Sequence, residues 1–274
     1  MMKKIRHHAS VACCQIRLDA ASSFQYFSYS IVWFFMIGIS AFSTFFVLKA
    51  IMDRIGQING WNFPQVVFLY GLGLISHGFE DMFFIQNRWI ETYILRGEFD
   101  RLLLRPLGVF FLFNTNTFNM VGFYDIIPGL IMFVYACGLL QFALTPLAFM
   151  YILIITVSGT FIRAALLIIS GSVAFWTKKS QVLVDTDLVL MDRTTSYPLT
   201  IYPKWFQWLF TFVIPLAFIN FYPVSGMLDI SLGAGLPIAP DMVLWSPVAA
   251  ALFFTAAMAL FKFGLKHKYE SSGS

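Results

Sequence analysis

Six stretches of this chain hold about twenty or more mostly apolar residues, and runs of that length match the thickness of a bilayer core. In hydrocarbon every backbone N–H and C=O must find a partner within the protein, so such runs fold as helices. We place the spans at about 27–48, 64–86, 118–140, 147–175, 205–222 and 243–264. Only 12% of residues are charged, against roughly 25% in soluble domains. The expected fold is an all-α integral membrane protein, residues 1–274 forming a single transmembrane domain. No catalytic domain of ordinary size fits between the spans. The first apolar run is too long for a signal core, so no cleavable signal peptide is expected.

Charge fixes the expected orientation. Of the 18 Lys and Arg residues, all but Lys49, Arg54 and Arg163 fall on one side of this arrangement. The clusters are Lys3, Lys4, Arg6 and Arg17; Arg88, Arg96, Arg101 and Arg105; Lys178, Lys179, Arg193 and Lys204; and Lys262, Lys266 and Lys268. Cytoplasmic loops collect Lys and Arg, which places both termini in the cytoplasm. The net charge of +4 is then a matter of topology and lipid headgroups, and no nucleic-acid partner is expected. Cys13, Cys14 and Cys137 read as reduced and structural.

Three segments outside the spans have their own character. Residues 10–26 pattern as an amphipathic interfacial helix on the inner surface, anchored by Val11, Ile16, Leu18 and Phe24. Pro64 and Pro146 open the second and fourth spans, and Pro128 predicts a kink in the third. The inner loop at about 87–117 contains Arg-Gly-Glu-Phe-Asp-Arg-Leu-Leu-Leu-Arg-Pro from Arg96 to Pro106. A short helix there gives an apolar stripe of Phe99, Leu102, Leu103 and Leu104, with Glu98, Asp100, Arg101 and Arg105 facing outward and Pro106 as its stop. The outer segment 223–241 is apolar but broken by Gly and Pro, the pattern of re-entrant pieces. No repeat relates the two halves.

Reaction chemistry is missing from the sequence. There is no phosphate-binding Gly-x4-Gly-Lys-Ser/Thr loop, no His-Glu-x-x-His and no Gly-x-Ser-x-Gly elbow. We therefore assign no catalytic residue, no metal ligand and no cofactor. The sites that physics singles out are charges at membrane depth: Glu80 and Asp81 near the inner end of the second span, Asp125 in the third and Arg163 in the fourth. Asp125 lies about 10 Å deep and Arg163 about 20 Å from the inner boundary, at about 1.5 Å per residue. Unpaired charges there cost a few kcal/mol, so they should face the bundle interior. They form either a structural ion pair or the lining of a pathway, with Arg163 meeting Glu80 or Asp125. His77 reads as a hydrogen-bonded span residue.

The Arg96–Pro106 stretch, Tyr-Pro-Leu-Thr-Ile-Tyr-Pro at 197–203 leading into Phe212–Pro223, and Lys262 to Ser274 together resemble the type-two export permeases of ABC transporters. The resemblance covers essentially the whole chain. It implies a permease subunit that exports an amphipathic drug, antibiotic, peptide or lipid-like compound. It also implies a second permease subunit, identical or paralogous, and two copies of an ATP-binding cassette subunit, which carry the ATP and Mg. Gly97, Glu98, Phe99, Asp100, Arg101, Leu104, Arg105 and Pro106 would then form the coupling helix docked on the ATPase. The segment 223–241 would cap the pathway, and the protein would sit in the plasma (inner) membrane among lipid. Two other functions fit a six-span chain: an intramembrane enzyme acting on lipid through Glu80, Asp81 or Asp125, and a channel or assembly subunit that does not transport alone.

Overall fold

The computed structural model describes residues 27–105, 108–115, 118–230, 243–267 and 269. The expected interfacial helix at 10–26, Pro106 and residues 231–241 of the outer segment lie outside these. The described residues are helical with no strand beyond the small Ile58–Trp61 bridge. In chain order the helices are α1 (Phe27–Ile55), α2 (Phe63–Phe84), α3 (Ile90–Leu95), α4 (Glu98–Leu103), α5 (Val109–Thr115), α6 (Gly122–Leu140), α7 (Pro146–Ser172), α8 (Ala174–Thr177), α9 (Gln181–Ser196), α10 (Lys204–Trp208), α11 (Phe221–Met227) and α12 (Trp245–His267).

Local chemistry sets the helix starts. Asn62 caps α2 through the Gln65 amide, and the Gln65 side chain accepts from the Asn62 amide in return. Thr145 caps α7 ahead of Pro146, whose fixed φ suits the first helical turn. Pro128 sits inside α6 without ending it. Four helical stretches are long and apolar enough to cross a membrane: Ser30–Ile55, Gly122–Leu140, Pro146–Thr177 and Trp245–His267. The helix α2 has the length but carries His77, Glu80 and Asp81, and α9 carries Asp185, Asp187, Asp192 and Arg193.

Contacts fix the direction of each long helix. Gly71 faces Gly129 and Gly78 faces Gly122, so α2 and α6 run antiparallel in backbone contact. Phe34–Tyr124 and Phe45–Tyr135 pair α1 parallel to α6. Thr160 Oγ1 donates to the Ser76 carbonyl at 3.2 Å, and Gly171 lies against Asn87, so α7 runs parallel to α2. Phe161–Phe254 and Trp176–Phe263 pair α12 parallel to α7. Two parallel neighbours need a return crossing between them. That return is α9, whose Asp192 meets Arg163 and whose Asp187 meets Ser170, antiparallel to α7.

The stretch expected as the fifth span, 205–222, follows a bent course. Glu91, beside α4, accepts hydrogen bonds from the Ser180 and Gln181 amides at the start of α9. At the far end, Asn59 Nδ2 donates to the Thr200 carbonyl at 2.7 Å, beside the loop that joins α1 to α2. Beyond α9, Lys204–Val213 and Leu216–Met227 bend by 79° at Pro215. The bent pair returns to the same end, where Phe221 stacks on buried Trp61 at 5.6 Å. At its tip Asn220 Nδ2 donates to the Leu69 carbonyl at 3.1 Å and the Thr195 carbonyl at 2.9 Å. Residues 204–227 therefore make a sharp corner whose two ends both lie near the Asn59 end. Lys204, counted with the inner cluster, sits at the Asn59 end, and Arg193 lies in the last turn of α9 towards it.

Candidate functional site

Burial concentrates charge in one place. Glu80 and Arg163 are both fully buried, with Arg163 Nε 3.9 Å from Glu80 Oε2. Arg163 Nη2 donates to Asp192 Oδ1 at 3.0 Å. On the other side of Glu80, Arg88 Nη2 lies 3.5 Å from Oε2 and also pairs with Asp81. His77 bridges Asp81 at 3.7 Å and Asp125 at 3.6 Å. The chain of contacts thus runs Asp192–Arg163–Glu80–Arg88–Asp81–His77–Asp125 across α9, α7, α2 and α6.

The four charges singled out from the sequence fall within this one network. Arg163 contacts Glu80, while Asp125 pairs with His77 instead. Sequence reasoning missed Asp192 and Arg88 as partners. It assigned both to inner loops, although a lone deep Arg calls for an acid on every segment that can reach it. His77, Glu80 and Asp81 bring ligand atoms within 4.8 Å of one another, a spacing a metal could use. Both carboxylates already pair with Arg88, so their charge is engaged by a guanidinium.

The network forms one wall of a chamber of about 770 Å³, which Trp33, Tyr70, Trp89 and Tyr197 also line. A second cavity of about 930 Å³ is almost wholly apolar, lined by Phe79, Phe83, Phe111, Phe118, Phe149 and Phe161 among others. Asp192 is the open end of the network, its side chain 56% exposed where it lines the chamber. Asp192→Asn keeps an acceptor for Arg163 and should cost only about 1 kcal/mol of stability, read by thermal unfolding in detergent.

At the α4 end, Gly97 takes a left-handed φ of 65° and turns the chain between α3 and α4. Phe99 is fully buried among Phe113, Phe175, Phe261 and Tyr269. Leu102 is buried beside it, but Leu103 and Leu104 are not, and Leu104 is 87% exposed. The expected apolar stripe is thus halved: the helix ends at Leu103, and the next residue points away from the bundle. Asp100, expected to face outward, accepts from the Tyr269 hydroxyl at 2.9 Å. Glu98 lies 3.8 Å from Arg96, and Arg101 and Arg105 are exposed. Burial pushes the Tyr269 phenol up to about 12, and the Asp100 carboxylate adds to the shift. The phenol therefore stays protonated and donating below its ordinary value near 10, and this link is lost only as pH rises through about 12.

A family model described as ABC-2 family transporter protein matches residues 26–273. The chain belongs to the ABC-2 transporter family. No curated protein matches the sequence. As an ABC-2 family member, this chain is a membrane protein of a transport system that works with an ATP-binding partner.

Proposed function

We propose that this chain is the permease subunit of an ATP-driven exporter that moves an amphipathic compound out of the cytoplasm. The observation that carries the reading is the short α4 element. Its Phe99 root is buried in the bundle, while its tip offers Arg101, Leu104 and Arg105 to a partner. A lever fixed at one end and exposed at the other is what a membrane subunit needs to receive motion from outside. In this reading α1, α2, α6, α7, α9 and α12 are the six membrane crossings. The α2 and α9 helices carry charge because their polar sides face each other and Arg163, away from lipid.

The α4 end is cytoplasmic. Among the described residues outside the buried Arg163 pair, Arg88, Arg96, Arg101, Arg105, Lys178, Lys179, Lys262 and Lys266 gather there, against Lys49, Arg54, Arg193 and Lys204 in the other half. Two ATP-binding cassette subunits dock on the α4 tips of two permeases, identical or paralogous, in the plasma membrane. The chamber of about 770 Å³ receives the cargo.

The test is coupling in the assembled complex. Charge reversal at Glu98 or Arg101, or Leu104→Asp, should lower cargo-stimulated ATP hydrolysis about tenfold, equivalent to about 1.4 kcal/mol of docking free energy. Expression of the permease should be unchanged. Normal stimulation in all three variants removes the docking assignment.

A further inference from the structure

Resting on the permease reading above, we infer that Glu91 is a positioning residue that bolts α9 to the ATPase-facing helices, so that α9 carries their displacement to the buried ion pairs and the outer corner. The start of α9 has no cap of its own, since Ser180 makes no side-chain capping bond there. The cap comes instead from Glu91 on α3, 89 residues earlier in the chain, whose Oε2 accepts from the Ser180 amide and from the Gln181 amide at 2.7 Å. A carboxylate on two N-terminal amides is charge-assisted and complements the helix dipole. A local cap would stabilise α9 alone. A cap borrowed from α3 makes the helix and the α3–α4 hairpin one mechanical piece.

The other attachments of α9 give that piece something to act on. The helix is 16 residues long, about 24 Å at 1.5 Å per residue. Beyond its midpoint Asp192 holds Arg163, and at its last turn the Thr195 carbonyl accepts from Asn220 at the tip of the 204–227 corner. One rigid helix therefore joins the cytoplasmic hairpin, the charge network and the outer corner. The discrete element that such coupling requires is α9 itself, sliding against α7.

Spin-label distances in the permease–ATPase complex test this, with Cys13, Cys14 and Cys137 replaced by alanine. Labels at Val189→Cys on α9 and Leu153→Cys on α7 report the slide, and a label at the exposed Leu103→Cys paired with Leu153→Cys reports motion of α4 without occupying the docking tip. With Glu91 present, ATP binding should shift both distances, the α9 pair by about 2 Å or more. Glu91→Ala should abolish the α9 shift while the α4 shift remains, and Glu91→Gln, which keeps an acceptor oxygen, should restore it. Should the alanine chain fail to fold, Glu91→Asp, too short to reach both amides, takes its place with the same loss expected. An α9 shift that survives either variant overturns the inference and leaves the permease reading standing. A complex with Glu91 intact whose α4 distance ignores ATP overturns the permease reading itself.

Discussion

Arg163→Met will lower the stability of the permease by roughly 3 kcal/mol, seen as a fall of about 10 °C in the melting midpoint in detergent. Arg163 is fully buried and sits between Glu80 and Asp192. Methionine fills much of the same volume, so the loss measures charge, not packing. Glu80 keeps Arg88 at 3.5 Å, and Asp192 opens onto the chamber, which limits the penalty to one partly uncompensated carboxylate. Adding Glu80→Gln to Arg163→Met should recover about half of the loss, because breaking a buried pair costs more than replacing it. A single variant within 0.5 kcal/mol of the parent, the usual range for surface changes, would mean the guanidinium is not desolvated where the structure puts it.

The second large effect lies at the α2–α6 crossing. A Cβ on Gly78 collides with the Gly122 carbonyl and Ile126, and a Cβ on Gly122 collides with the Gly78 carbonyl. Both obstacles include backbone, which cannot swing aside as a side chain can. Small residues at such crossings let helix backbones approach within membranes. Gly78→Leu should therefore cost about 3 kcal/mol or more, the upper end of overpacking penalties, and reduce the yield of folded protein. The internal control is Gly138, where a Cβ meets nothing within 4 Å. Gly138→Ala should be neutral or stabilising by up to about 1 kcal/mol. Equal behaviour of the two variants in thermal unfolding would refute the close crossing.

The sequence made some of this legible and hid the rest for physical reasons. The helices α1, α6, α7 and α12 are apolar around most of their circumference, so their runs stand out at once. Pro64 and Pro146 marked two helix starts to within a residue or so. The α9 helix was invisible because hydropathy averages over faces. Asp187 and Asp192 turn towards Ser170 and Arg163, yet a running mean reads the segment as a loop. In the stretch rich in Trp and Phe at 205–222, composition says nothing of the 79° bend at Pro215. Reading 181–196 as a loop also hid Asp192, since a residue assigned to a loop is never searched as a partner for a buried Arg. At the inner loop the aromatic root of α4 was readable from Phe99 and Leu102. The outward turn of Leu104 was not, because a run of three leucines gives no hint of where the helix stops.

The split of the Arg163–Asp192 pair between two helices has an electrical consequence. On the proposed reading, a slide of α9 against α7 would move Asp192 away from its counter-ion together with Asp185, Asp187 and Arg193, a net of two negative charges. If they cross a tenth of the membrane field, the work at 100 mV is only about 0.5 kcal/mol. Resting voltage is therefore too weak a motor for this gate, and polarising the bilayer should trim its pace without ever opening it.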